Sequence, residues 1–350
     1  MLRAAYCRYT LRFGFTAVTS RERMNTKETY YIKLWHSGSP GRFGLGECAL
    51  FRGLGADDTP DYERRLASLC AAVNRDDIPA ALPRESSIAF GYETALSDLS
   101  RGGCREPFGA MPSDPASGIR INGLVWMGTI AEMERRAAEK IDAGFRCLKF
   151  KIGGQDFGEE VELLRRVRSQ WSVDKLEIRL DANGAFSPAE ALSRLRTLSQ
   201  FGIHSIEQPI RAGQRDEMAR ICRESPIPVA LDEELIGCSD PIAMLSAIRP
   251  RYIVLKPSLC GGFARADAWI AMARSLGIGW WATSALESDI GLNAIARWVS
   301  VYAPSMPQGL GTGGLYTNNF ISPLRLDSDR LYSAPGAGWK YPGLQWIQPD

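Results

Sequence analysis

The residues best placed to do chemistry are spaced at near-constant intervals. Lys149 and Lys151 lie two apart in Cys147-Leu148-Lys149-Phe150-Lys151. Asp181, Glu207, Asp232, Lys256 and Ser284 follow at steps of 30, 26, 25, 24 and 28 residues from Lys151. Each closes a short apolar run: Arg179-Leu180-Asp181, Ser205-Ile206-Glu207, Ala230-Leu231-Asp232 and Val254-Leu255-Lys256. Side chains alternate along a strand, so Lys149 and Lys151 share one side while Leu148, Phe150 and Ile152 take the other. Two ammonium groups beside so much apolar surface are costly unless anions face them. Three carboxylates converging on one spot raise one another's pKa unless a cation joins them. All-oxygen ligation suits a hard divalent ion, which points to Mg²⁺ on Asp181, Glu207 and Asp232, with Mn²⁺ as the substitute. Such a metal, bound to a substrate carboxylate, stabilises the enediolate left when the adjacent proton is removed. Lys151 is the expected base, its pKa lowered by Lys149 and the metal. Lys256 is a second base or a fixed positive charge.

The elements that would hold these residues follow from the spacing. From Ile119 to about Leu315, strand-like runs alternate with amphipathic helical runs. The expected strands are 121–126, 147–151, 177–182, 205–207, 229–232, 252–256, 279–284 and 308–311. Between them lie expected helices at 130–143, 159–168, 187–201, 215–225, 240–248, 264–276 and 290–302. Eight β–α repeats in about 200 residues is the arithmetic of a parallel (β/α)₈ barrel, whose chemistry gathers at the C-terminal ends of the strands. No Gly-x-Gly-x-x-Gly follows the first strand, which disfavours a dinucleotide-binding sheet.

Ahead of the barrel an α+β domain is expected. Residues 3–13, 27–36 and 41–48 read as antiparallel strands, and 58–73 and 87–99 as helices. The segments 14–26 and 51–55 are candidate lids over the site. The expected division is residues 1–107 for this domain, 108–118 for a linker, 119–320 for the barrel, and 321–350 for an irregular aromatic tail that returns to the first domain.

Composition bounds the rest. The chain has 350 residues with a net charge of +2, so no global field favours nucleic acid or membrane. No apolar run is long enough to span a membrane, and the first residues lack the apolar core of a signal peptide, which together point to the cytoplasm. The eight cysteines are scattered without a Cys-x-x-Cys pair and read as reduced. Two histidines exclude a His-rich metal site. The expected partner is a small carboxylate, and a homo-oligomer is left open.

Lys-x-Lys on the second strand, acids on the third to fifth and Lys on the sixth resemble the enolase superfamily, in its muconate-lactonizing subgroup. The segments Ser205–Pro209, Lys256–Phe263, Thr283–Ser288 and Gly309–Gly313 are similar to subgroup members of menaquinone biosynthesis, in their Bacteroides-type form. The resemblance implies a barrel with an N-terminal capping domain. It implies syn dehydration of a cyclohexadiene carboxylate bearing a succinyl arm. Lys151 would take the proton and return it to the departing hydroxyl. Mg²⁺ would sit on Asp181, Glu207 and Asp232, and Lys256 would stabilise the anion. Lys149 would tune Lys151 or touch the substrate. Arg179 would meet a carboxylate or pair with one of the acids. Ser284, Ser288 and the backbone of Gly309 to Gly311 would hold the succinyl carboxylate. Rival readings are an N-succinylamino acid racemase or dipeptide epimerase on the same scaffold, a Schiff-base aldolase using Lys256, and a non-catalytic barrel.

Overall fold

The computed structural model describes residues 1–18, 23–78 and 80–350. It opens with an antiparallel sheet of β1 (Leu2–Val18), β2 (Arg23–His36) and β3 (Phe43–Cys48), in the order β1-β2-β3. Two helices cover one face of it, α1 (Tyr62–Asn74) and α2 (Ser86–Ser100). The contact of α2 with β3 depends on glycine. A Cβ at Gly44 would stand 1.9 Å from the Ala95 carbonyl oxygen, and one at Gly46 would stand 1.9 Å from that of Gly91. With no side chains between them, helix and strand meet backbone to backbone. The alternate residues of β3, Leu45 and Glu47, then point away from the helix, and both are buried.

β4 (Ile119–Arg120) leads into β5 (Gly123–Val125), the first strand of a parallel sheet. Around this sheet alternate α3 (Ile130–Asp142), β6 (Cys147–Lys151), α4 (Phe157–Gln170), β7 (Glu177–Asp181), α5 (Pro188–Leu198), β8 (Ser205–Glu207), α6 (Arg215–Glu224), β9 (Val229–Leu231), α7 (Pro241–Ile248), β10 (Tyr252–Leu255), α8 (Phe263–Ser275), β11 (Gly279–Ala282) and α9 (Asp289–Tyr302). Helix starts carry local signals. Thr129 and Glu132 cap α3 reciprocally, Asp156 caps α4, and Ser187 and Asp240 precede Pro188 and Pro241 at the starts of α5 and α7. The apolar residues of the strands face the helices and form the main core, with Leu148, Phe150, Ile178, Leu180, Ile206, Leu231, Ile253 and Leu255 all at or near zero exposure.

The seven strands run in sequence from β5 to β11. The expected eighth strand at 308–311 does not form. Residues 308 and 309 still close the ring through two parallel bridges, Ile121 to Gln308 and Thr283 to Gly309. Gln308 N donates to the Arg120 carbonyl (2.8 Å) and Gly309 N to that of Ala282 (2.8 Å). The fold is therefore a TIM-type barrel whose eighth position is a two-residue seam.

Two further expectations are corrected. The stretch 14–26, a candidate lid, is expected to lie between the first two strands. Within it, 14–18 and 23–26 continue β1 and β2, and 19–22 lie outside the described residues. The reason is packing: Phe13 and Ala17 join Trp126, Leu286, Leu315 and Tyr316 in one apolar cluster over the barrel mouth. The tail is expected to be irregular. It contains the hairpin β12 (Leu324–Asp327) and β13 (Arg330–Ser333), which pairs Leu331 with Ile119 and Arg330 with Arg120 of β4. Beyond it, Ile347 bridges Tyr6, and Trp339 and Trp346 pack near Tyr31 and Leu45, so the tail does return to the first sheet. All eight cysteines are unpaired. No helix among the described residues is long and apolar enough to cross a membrane.

Candidate active site

Strand register sets the site. Lys151 lies opposite Asp181, and Asp181 opposite Glu207, so three charges stand side by side on β6, β7 and β8. Glu207 pairs with Ala230, which places Asp232 just past the end of β9, and Lys256 likewise follows β10. The long side chains close the gaps. Lys149 Nζ contacts both Glu207 oxygens (2.7 and 2.7 Å) and Asp181 Oδ2 (2.8 Å). Lys151 Nζ reaches the same Asp181 Oδ2 (2.6 Å) and donates to Asn183 Oδ1 (2.7 Å). Lys256 Nζ donates to Asp232 Oδ2. Three ammonium groups thus meet three carboxylates in a buried cluster whose formal charges cancel.

The electrostatics follow from that arrangement. Burial alone would lower Lys149, but Asp181, Glu207 and Asp232 hold its pKa above the ordinary lysine range. Burial would raise Asp181, and Lys149, Lys151 and Lys256 outweigh it, so its carboxyl stays well below the usual range. Glu207 is pushed up by burial and then by the charges of Asp181 and Asp232. Lys256 is raised, against its own burial, by Asp232, Glu207 and Glu233.

Above the cluster lies a cavity of about 290 Å³. Lys149, Lys151, Asn183, Glu233 and Lys256 line its charged side, and Phe51, Leu54, Leu124, Trp126 and Leu286 its apolar side. The remaining wall is Asn122, Thr283, Ser284, Gly309, Gly311 and Thr312. Of the expected substrate residues, Lys149, Ser284, Gly309 and Gly311 line this cavity. Two do not. Arg179 lies one layer deeper in the barrel, where Nε donates to Glu177 Oε1 (2.7 Å), Nη1 to the Pro307 carbonyl (2.9 Å), and the guanidinium covers the Trp281 ring at 4.5 Å. Its partner is Glu177 at the other end of the strand, not an acid of the ladder. Ser288 is the N-cap of α9: Oγ accepts from Ile290 N (3.3 Å) and donates to Glu47 Oε2 (2.6 Å). The 51–55 segment supplies Phe51, Gly53 and Leu54 to the cavity, as a lid would.

Sequence reading gave no role to Asn183, Glu233, Asn122 and Thr312. Asn183 links Lys151 to Glu233, its Nδ2 donating to Glu233 Oε1 (3.0 Å). A signal was available, since Asn183 is two residues beyond Asp181 and keeps its facing. Asn122 Oδ1 is buried without a hydrogen-bond partner among the described residues, in the cavity wall.

Asp181, Glu207 and Asp232 fit a divalent metal by donor type: three buried carboxylates, hard oxygen donors, from adjacent strand ends. As the side chains stand, the lysines take those oxygens, and among the described residues no three Asp, Glu, His or Cys groups are arranged to ligate an ion. A metal would compete with Lys149 and Lys256 for the carboxylates.

A barrel with this ladder of charged strand ends under an antiparallel cap defines a class, and the chain belongs to it: it is a member of the enolase superfamily, the family model for the "Enolase C-terminal domain-like" fold matching residues 132–340. Within that class it is 44% identical to the o-succinylbenzoate synthase of Desulfotalea psychrophila over 93% of this chain and 98% of that protein. The crystal structure of MenC from the same organism superposes with a TM-score of 0.83 at 43% identity, covering 95% of this chain and 99% of that one. The L-Ala-D/L-Glu epimerase of Bacillus subtilis shares the fold, with a TM-score of 0.80 at 20% identity over 96% of each chain.

Proposed function

We propose that this protein is an o-succinylbenzoate synthase, a carbon–oxygen lyase acting in menaquinone biosynthesis. It would convert 2-succinyl-6-hydroxy-2,4-cyclohexadiene-1-carboxylate to 2-succinylbenzoate and water, in the cytoplasm and in the form its loop segments resemble, that of Bacteroides-type bacteria. The observation that carries the reading is 44% identity along nearly the whole chain to a protein of that name. The site agrees, with two lysines over an acid ladder beside a cavity of suitable polarity.

The steps fall to this chain's own residues. Lys151 Nζ takes the proton from the carbon that bears the carboxylate, and charge develops on the carboxylate as an enediolate. The protonated Lys151 then gives that proton to the hydroxyl on the adjacent carbon. The C–O bond breaks, water leaves, and the ring becomes aromatic. Lys256, held by Asp232, stabilises the developing anion as a fixed cation. Lys149, fastened to Glu207 and Asp181, fixes the carboxylates and borders the substrate carboxylate. Ser284, Gly309 and Gly311 face the succinyl arm. Asp181, Glu207 and Asp232 would hold Mg²⁺, or Mn²⁺ in its place, which when bound supplies electrostatic stabilisation of the substrate carboxylate as the proton leaves.

The test is dehydration of the cyclohexadiene acid, followed by absorbance, with Mg²⁺ and with excess chelator, for wild type, Lys151→Ala and Lys256→Ala. The expected result is metal-dependent turnover in the wild type and a loss of at least about 10³-fold in Lys151→Ala. Turnover that survives in Lys151→Ala removes it as the base. Racemisation of N-succinyl amino acids without dehydration rejects the reading in favour of the racemase. Full activity in chelator with borohydride trapping of Lys256 favours the aldolase.

A further inference from the structure

The segment 51–55 carries a cation that has no part in the chemistry above. The segment is a tight turn: Leu54 N and Gly55 N both donate to the Phe51 carbonyl (3.3 and 2.9 Å), and Gly53 takes φ +74°, a conformation that suits glycine. Phe51 and Leu54 line the active-site cavity. Arg52, between them, does not; it is turned outward and is exposed. Its guanidinium makes two ion pairs. Nη2 donates to Glu28 Oε1 (2.6 Å) and Nη1 to Asp58 Oδ1 (2.7 Å).

The two acids hold different things. Glu28 belongs to β2, where its backbone pairs with Thr10 of β1 and its carboxylate also takes Arg8, so it is an anchor in the capping sheet. Asp58 lies just beyond the turn, and its second oxygen, Oδ2, accepts from Gly53 N (2.8 Å). Arg52 therefore fastens the turn to the sheet and, through Asp58, across its own tip. What the tip separates gives this clamp a purpose. Gly53 and Leu54 line the active-site cavity and also a second cavity of about 740 Å³ beside it, with Asn183 and Glu233 common to both walls. The tip is thus a partition between the two. A turn released from Glu28 would join the cavities and take Phe51 and Leu54 out of the apolar wall.

From this geometry we propose that Arg52 is a positioning residue: the clamp that ties the lid tip to the capping sheet, so that Phe51 and Leu54 stand against the substrate ring and the partition stays closed. It reaches no substrate atom. The proposal rests on the reading of the cavity given under Proposed function and names the residue through which that cavity is shut. The Arg52 side chain is 46% accessible, so its ion pairs are worth a few-fold in affinity and not a hundredfold.

The test is a double-mutant cycle of Arg52→Ala and Glu28→Ala in the full chain with Mg²⁺, reading kcat and KM for the diene acid and the amide hydrogen exchange of the 51–58 segment. Arg52→Ala is expected to raise KM about fivefold, with kcat within about twofold of wild type, because no group at the reacting atoms is lost. Exchange at Gly53, Leu54 and Gly55 should quicken by a similar factor, about fivefold, while the barrel strands exchange as in the wild type. Glu28→Ala should raise KM only about twofold, since Asp58 still holds Arg52, and the double variant should be no worse than Arg52→Ala, since the two residues share one contact. Unchanged KM or unchanged exchange in Arg52→Ala overturns the proposal, as does a double variant whose rise in KM is the product of the single rises. If the wild type does not dehydrate the diene acid, the functional reading fails by itself. The clamp is then judged on exchange alone, where quickening confined to the turn sustains it and wild-type exchange removes it.

Discussion

Replacing Lys149 by methionine tests the charge logic of the site most directly. Lys149 Nζ stands within 2.8 Å of three carboxylate oxygens on two acids, and the residue is 4% exposed. Methionine keeps the length of the side chain and removes the ammonium, so Glu207 loses both its short contacts and Asp181 one of two. Breaking a buried ion pair from one side typically costs about 3–5 kcal/mol, because the remaining charge stays buried without a partner. Metal-free Lys149→Met should therefore unfold about 3 kcal/mol more easily than metal-free wild type. A divalent cation can then take over the oxygens that lysine held. Because it no longer has to displace an ammonium, its affinity should rise by up to the same free energy, about 100-fold. The assay is urea unfolding with chelator and across a Mg²⁺ titration, since a ligand that binds only the folded state stabilises it in proportion to RT ln(1 + [L]/Kd). The variant should gain more from Mg²⁺ than the wild type and close most of the gap. If Lys149→Met matches the wild type in chelator, the ion cluster is not what holds these acids. If Mg²⁺ stabilises both proteins equally, the metal does not compete for the oxygens on Lys149.

Other outcomes follow from single contacts. Asn183→Leu removes the neutral partner of Lys151 and should lower kcat about 10- to 100-fold in the dehydration assay, with KM changed little. Gly46→Ala forces a methyl to within 1.9 Å of the Gly91 carbonyl oxygen and should cost about 3 kcal/mol or more in urea unfolding, since backbone cannot yield as a side chain does. Asp289 is pushed up to about 6 by burial despite its bonds from Ser322 and Asn319. A raised carboxyl favours folding in its protonated form, an advantage present below about pH 4 and lost as pH rises through 6, so the stability of wild type relative to Asp289→Asn should fall by up to about 3 kcal/mol between pH 4 and 7.

The ladder was readable because its positions are overdetermined. Lys151, Asp181, Glu207, Asp232 and Lys256 each end a short apolar run, and the spacing between them matches one β–α unit. Alternation gave the side of the strand on which each residue lies. It did not give depth, and Arg179 is the consequence: it shares the inward face with Asp181 but runs to Glu177 and Trp281 instead of to the cavity. Ser288 failed for a related reason. A serine before a helix is a cap before it is a ligand, and its second partner, Glu47, is 241 residues away in sequence. The seam at Gln308 and Gly309 was overestimated because the β–α repeat calls for an eighth strand, whereas in this glycine-rich segment only two residues bridge. The length of β1 and β2 was underestimated because their register slips between Arg12 and Ala17, which interrupts the alternation that marks a strand.

The two lysines of β6 divide their work by depth. Lys149, the inner one, spans two acids and has no neutral hydrogen-bond partner among the described residues, so it is committed to charge balance. Lys151, one step outward, shares Asp181 Oδ2 with it and holds a neutral amide oxygen on Asn183 as well. Asp181 is one of the residues that would hold a metal, and apart from the shared oxygen only Lys151 has a neutral partner, beside the cavity. On the proposed function, the pair that neutralises Asp181 and Glu207 divides into a fixed charge, Lys149, and a group with a neutral partner at the cavity, Lys151, placed for proton transfer.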